Sequence, residues 1–353
     1  MPKLKILSFG AGAIGTYVGG SFALSGNHLV YVEQPAVVAE LRNRGMRLNL
    51  TLDKRRNDLH DEVLPPSSFI VVPSLEEALR SGPFDIALFA LKSFDTMQAL
   101  KTMEPLADML PPLLCLSNGV ENEPMIARVL GTDKVIAAAV TSAIGRRGPG
   151  DVVLERLRGI GLASSHPLSE KLMLAAKSVF LNPRGYSNAV AMKWSKMLTN
   201  LIANPSSAIL DMTAAEVFGN PKLYRLEIEI LRECLAVMKA QHIPVVDLPG
   251  VPTRALAVAV NLPVGLSKPL LARAAGTGRG GKMPSFHNDL HSGRGKSEVE
   301  YLNGAVVRTG QKYGVPTPVN QVLTETLVEM TRGDIPLDEF SHQPEKLLGK
   351  IGM

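Results

Sequence analysis

Three polar side chains recur at a spacing of four in an otherwise apolar stretch, KWSKMLTNLIANPSSA (residues 193–208). They are Lys196, Asn200 and Asn204. On an α-helix that spacing drifts only about 40° per step, so it predicts one stripe, roughly 12 Å long, on a single face. Met197, Leu198, Leu201, Ile202 and Ala203 surround the stripe. A helix apolar on most sides is buried, and its polar line then needs partners. A lysine facing a cleft can donate a proton, because partial burial brings an ammonium pKa down towards neutrality. Asparagines add both donors and acceptors suited to hydroxyl and carboxylate groups. Pro205 has no N–H and is expected to kink or end the helix. The plainer alternative, an exposed stripe on an amphipathic helix, fits the apolar flanks poorly.

A second group of residues points to a nucleotide. GAGAIG (Gly10, Ala11, Gly12, Ala13, Ile14, Gly15) follows the apolar run KLKILSF and opens a helical stretch. The glycines permit a tight turn, close approach of backbone to a pyrophosphate, and close helix–strand packing. The phosphates then meet the free N–H groups and positive dipole end of the helix. The pattern alone is weak, but strand, glycine turn, helix and second strand (HLVYVEQ, 28–34) together are its confirming context. Glu33 ends that second strand, where an acid would bond the adenosine ribose hydroxyls and repel a 2′-phosphate. Its neighbour is Gln34 rather than arginine, so these residues lean towards NADH over NADPH. Arg42 or Arg55 could still fold back onto a phosphate.

The elements that must position these groups follow from periodicity. Buried strands are expected at 85–93 (DIALFALKS), 112–119 (PLLCLSNG), 134–143 and 150–163, alternating with helices. Alternating β and α segments predict an α/β, Rossmann-type parallel sheet with helices on both faces. From about residue 187 helical periods take over, at 189–203, 221–241, 250–260, 297–313 and 319–332. The expected organisation is a dinucleotide-binding domain over 1–186 and a mostly α-helical substrate and catalytic domain over 187–353. Residues 335–353 read as a weakly structured tail, and RRGPGD (146–151) as a turn.

Bulk composition removes several classes. The chain has 353 residues, 45% hydrophobic and 20% charged, with a net charge of +5. That is an ordinary globular balance. Its Lys and Arg residues are interleaved with acids, as in DKRRNDLHDE, and no basic stripe with aromatics suggests nucleic acid. Two distant cysteines, Cys115 and Cys234, fit a reducing compartment. No apolar run reaches membrane-spanning length. With no leader pattern before the first strand, a cytoplasmic protein is expected.

Taken in order, FGAGAIGTYVGG, ALKSFDT, LSNGVENE, KWSKMLTNLIANPSSAI, PSFHNDL, SEVEYLNGAVV and YGVPTPVNQ closely resemble the ketopantoate reductase family over nearly the whole chain. The resemblance implies an NAD(P)H-dependent reduction of a 2-keto acid, 2-dehydropantoate to (R)-pantoate, in pantothenate biosynthesis. It implies an active site in the cleft between the two domains. Lys196 matches the general acid of the family, and Asn118 an asparagine near the reacting carbon and the nicotinamide. Glu298 matches a glutamate of the second domain that touches the active site. Asn200, Asn204 and Ser285 match substrate-binding residues. Lys92 matches a lysine where coenzyme and substrate meet. Without its motif, Glu298 would read as a helix-surface acid. A small anionic substrate and a homodimer built on the C-terminal domain are the expected partners.

The sequence departs from the family in two ways. Glu33–Gln34 stands where NADPH-dependent relatives usually carry arginine. The chain is also longer than a typical member, near 262–284 and at its end, which could reshape the pocket for another 2-keto acid. Alternatives are therefore a same-fold dehydrogenase acting on another keto or imino acid, of opine type, and a non-catalytic dinucleotide sensor. Two motifs are read as decoys. GTGRGGK (276–282) has Met283 where a phosphate loop needs Ser or Thr, so a flexible loop or lid is expected. HNDLH places His287 and His291 at i, i+4, but no acid or third ligand is arranged as in a zinc-binding helix, so no metal is expected.

Overall fold

The computed structural model describes residues 3–56, 60–275 and 282–353. Within it the chain forms two compact units. The first comprises Met1–Asn118, Asn122–Ala189 and Leu248–Gly250, and the second Gly119–Glu121, Val190–Asp247 and Val251–Met353.

Twelve strands are described in the first unit: β1 (Lys5–Phe9), β2 (His28–Val32), β3 (Met46–Asn49), β4 (Asp61–Leu64), β5 (Ile70–Val72), β6 (Ile86–Phe89), β7 (Leu113–Cys115), β8 (Val135–Val140), β9 (Ala143–Gly148), β10 (Asp151–Arg156), β11 (Ile160–Ala163) and β12 (Pro183–Tyr186). Eight of them make one sheet in the order β12-β11-β8-β7-β6-β1-β2-β5. All pairs are parallel except β8 with β11. Strands such as Ile86–Phe89 are buried throughout. They are apolar at every position because helices cover both faces of a parallel sheet.

The strand order reverses at β1. The chain moves outward to β2 and β5 on one side, then returns to β6 on the other. Loops leaving the two sides part there, and the carboxyl ends of the strands open a crevice for a ligand. The four-stranded sheet β4-β3-β10-β9 was not anticipated. Its strands are short, so alternation has little length in which to show. The helix Ala13–Leu24 packs against β3, β9 and β10 as well as the large sheet. Arg146 and Arg147 are strand residues of β9, Arg146 opposite Val152 and Arg147 at a register shift, and the turn expected over 146–151 narrows to Pro149–Gly150.

Among the described residues the second unit's regular elements are helices, apart from an isolated bridge at Val251. Its longest helix, Pro221–Ala240, starts from Asn220, whose side chain accepts the N–H groups of Lys222 and Leu223. Pro221 occupies the first turn, where a missing N–H costs nothing. One core runs from Trp194 and Met197 through Leu223, Leu231 and Val237 to Leu327 and Leu347. The chain end is not a loose tail. Helix Pro344–Ile351 sets Leu347 and Leu348 into that core, with Phe340 beside them. Eight residues with two adjacent apolar positions give too weak a periodic signal to be read as a helix without the groove that receives them.

Candidate active site

β1 ends on the glycine turn. Gly10 has φ +93°, and a Cβ added at Gly15 would lie 2.0 Å from the Gly10 carbonyl oxygen. Each position therefore excludes a side chain, one through backbone conformation and the other through contact. At Gly12 the space that a Cβ would take is open, with nothing within 4 Å. That leaves a cradle beside the first turn of Ala13–Leu24, whose N–H groups have no partner inside the helix. Turn, cradle and helix end fit a dinucleotide pyrophosphate.

Four sequence-selected groups of the first unit lie at one sheet edge, because each follows the carboxyl end of a strand in the parallel set β2-β1-β6-β7. Gly10 to Gly15 follow β1, Glu33 follows β2, Lys92 follows β6 and Asn118 follows β7. The Glu33 carboxylate accepts the N–H of Ala11 and, at 3.0 Å, that of Gln34. It thus touches the glycine turn itself. The Asn118 carbonyl accepts from Ser93 Oγ at 2.9 Å and Asn122 Nδ2 at 2.6 Å, tying the loops after β6 and β7 together. Lys92 is half-buried.

Both arginines offered as phosphate partners make bonds elsewhere in this arrangement. Arg42 donates to the Val71 carbonyl at 2.9 and 3.1 Å. Arg55 is held by Asp53 and by the Phe180 carbonyl, at 2.7 Å. Burial works against charge on Asp53, but bonds from Arg55 and Arg56 outweigh it and hold the carboxyl below its usual range.

In the second unit, Lys196 and Asn200 lie on helix Ala189–Leu201, both half-buried. The expected single stripe is interrupted. The helix stops at Leu201, Ala203 takes a left-handed φ of 52°, and Asn204 opens a new helix, Asn204–Leu210, with Pro205 in its first turn. The proline therefore starts a helix instead of kinking one. Glu227 holds the break. Its carboxylate accepts the Ala203 N–H at 2.6 Å and the hydroxyl of Ser206. Burial pushes this acid up to about 7, against the lowering effect of those two bonds.

Asn204 still meets its neighbour. Its Nδ2 donates to the Asn200 carbonyl at 3.0 Å and to Ser285 Oγ at 3.2 Å, while its Oδ1 accepts the Phe286 N–H at 3.0 Å. Ser285 begins helix Ser285–Leu290 and is exposed. Lys196, Asn200, Asn204 and Ser285 thus fall on three helices joined by one amide. Glu298 is 1% exposed in the short turn Glu298–Tyr301, so it is no helix-surface acid. The glycine-rich segment 276–281 lies outside the described residues.

Sequence reasoning missed Glu227. The signal was present: it falls on the buried face of Pro221–Ala240, between Leu223, Leu226, Ile230 and Leu231. A lone acid on an apolar face marks a buried bond network. It also missed an acid for the histidine pair. Asp211, at the end of Asn204–Leu210, lies 2.8 Å from His287 Nε2; it comes from outside the HNDLH helix, so the spacing within that helix could not show it.

The family model for the ketopantoate reductase PanE/ApbA matches residues 6–164, and that for its C-terminal region matches 188–331. The chain belongs to the ketopantoate reductase family. Membership places it among the NAD(P)H-dependent oxidoreductases acting on CH–OH groups. It is 25% identical to the 2-dehydropantoate 2-reductase of Archaeoglobus fulgidus, over 93% of this chain and 97% of that one. Among solved structures it is similar to a PanE/ApbA family ketopantoate reductase from Ralstonia eutropha JMP134. The TM-score is 0.76 at 25% identity, covering 94% of this chain and 99% of that one. D-mandelate dehydrogenase in its ternary structure with NADH and anilino(oxo)acetate shares the fold. It has a TM-score of 0.74 at 21% identity, covering 94% and 99%. Among the described residues no helix is long and apolar enough to cross a membrane.

Proposed function

We propose that this ketopantoate reductase family member reduces 2-dehydropantoate to (R)-pantoate, with the first unit holding the coenzyme and the second supplying the proton donor and substrate contacts. The observation that carries the proposal is the Asn204 amide. It links the Lys196–Asn200 helix to Ser285, through the Asn200 carbonyl and the Ser285 hydroxyl. The coenzyme-holding residues are Gly10 to Gly15, Glu33, Lys92 and Asn118. Bound NAD(P)H supplies the hydride.

As that hydride arrives, negative charge develops on the ketone oxygen. The Lys196 ammonium stabilises it and delivers the proton. Asn200, Asn204 and Ser285 donate to the substrate carboxylate and hydroxyl. In this reading Glu298, buried in the turn Glu298–Tyr301, fixes the lysine or a substrate hydroxyl. Glu33 at the end of β2 favours NADH, since a carboxylate repels a 2′-phosphate.

A second reading keeps the chemistry and changes the substrate. The likeness to D-mandelate dehydrogenase, a 2-hydroxy acid enzyme by its name, supports testing an aryl 2-keto acid. One experiment separates the readings: loss of reduced-nicotinamide absorbance with ketopantoate or phenylglyoxylate, each with NADH and NADPH. Preferential turnover of ketopantoate is the expected outcome. Preference for phenylglyoxylate selects the second reading, and coenzyme binding without turnover of any 2-keto acid would leave a sensor.

A further inference from the structure

We propose that Asp211, His287 and His291 form a binding site for one divalent transition ion of the zinc class, at the surface of the second unit. One ligand atom from each of the three lies within 4.8 Å of the others. His287 Nε2 and Asp211 Oδ1 are 2.8 Å apart. The two imidazoles stand with centroids 4.2 Å apart and planes tilted by 37°. Zinc takes imidazole nitrogen and carboxylate oxygen at about 2.0–2.2 Å, so donors around one ion lie within about 4 Å of each other. Small side-chain rotations reach that arrangement from the present one.

Borderline ligands of this kind, two imidazoles and a carboxylate, select zinc-like ions over magnesium or calcium, which prefer all-oxygen shells. Asp211 and His291 are exposed and His287 is half-buried. Water can therefore complete the coordination. Neither cysteine competes, since both are buried.

The ligands come from two elements that are already fixed against each other. Asp211 ends helix Asn204–Leu210 at a left-handed φ of 51°. A non-glycine residue there is uncommon. His287 lies in helix Ser285–Leu290 and His291 caps its end. Asn204 binds that second helix at its start, through Ser285 and the Phe286 N–H. An ion would clip the same two helices again, through Asp211 after the first and His287 and His291 on the second. The Asn204 bonds hold the two helices together and so preorganise the ligands, which is what a metal site needs from its scaffold. This proposal does not depend on the substrate assignment.

The test is titration of the full chain, first stripped with chelator, by Zn²⁺ in a calorimeter. One equivalent per chain is expected, with a rise in Tm. His291→Ala and Asp211→Asn should each weaken binding at least tenfold, whereas His166→Ala should not; asparagine tolerates the left-handed conformation of Asp211. Unchanged binding in both variants, or no stoichiometric binding by the wild type, overturns the site. Should a variant fail to fold, anomalous scattering from zinc-soaked wild-type crystals decides. A peak among the three side chains supports the site, and its absence there refutes it.

Discussion

At the scale of single residues, Lys196 and Gly15 are the sharpest tests. Lys196 lies on an ordered helix among buried neighbours, so removing its ammonium should leave the fold and the coenzyme contacts in place. General acids contribute about 10²–10⁴-fold. Lys196→Ala should therefore lower kcat by that order while the coenzyme Kd, followed by nicotinamide fluorescence, stays within twofold, a bound of roughly 0.4 kcal/mol. An undiminished kcat would remove Lys196 from the chemistry. Gly15→Ala tests the other unit. Its new methyl would stand 2.0 Å from the Gly10 oxygen, so the turn must shift. Backbone strain of about 1–3 kcal/mol corresponds to a loss of coenzyme affinity of roughly 5- to 150-fold. Wild-type affinity in this variant would show that the turn does not hold the pyrophosphate.

At the scale of elements, the break between the two polar helices governs where Asn204 stands, and Glu227 governs the break. Its pKa is raised from 4.5 to about 7 by burial. A carboxyl whose folded pKa is raised contributes stability that is fully present below its unfolded pKa and is lost as pH rises through the folded one. The wild type should lose on the order of 3 kcal/mol between about pH 4.5 and pH 8 from this group. Glu227→Gln stays neutral across that window and lacks this slope. Urea midpoints measured for both proteins from about pH 4.5 to 8 should nearly agree at the low end, separate as pH rises to about 7, and stay a constant distance apart above that. Parallel curves would mean that the acid titrates at its ordinary value. Elsewhere the second unit uses a similar device: Glu233 accepts the N–H groups of Val319 and Asn320, both at 2.8 Å, capping a helix that has no side-chain cap of its own.

At the scale of the whole molecule, each unit has its own core, and the chain end belongs to the second. Leu347 and Leu348 are 0% and 1% exposed. Each buried leucine contributes about 1.5–3 kcal/mol. Deleting 344–353 should therefore lower the Tm of the second unit and abolish 2-keto acid reduction, while the first unit keeps its coenzyme affinity. Calorimetry of the truncated chain would show one shifted transition and one retained. A truncated chain with the Tm and turnover of the full one would mean that this helix only decorates the surface.

Local signals determined much of this by themselves. The glycine turn after β1, the acid after β2, and the apolar strands at 86–89 and 113–115 are runs of adjacent residues whose backbone needs are written in their types. The lysine helix and the change to helical texture near residue 187 were equally legible, because periodicity is a local property. Distance along the chain hid the rest. The small sheet pairs β3 with β10, strands about a hundred residues apart (46–49 and 151–156), and neither strand is long enough to announce itself. Asn204 was expected on the same helix as Lys196, yet a buried acid from 227 ends that helix early. Asp211 joined His287 only when two helices packed. Pairing across the fold depends on which surfaces meet, and only the tertiary structure decides that.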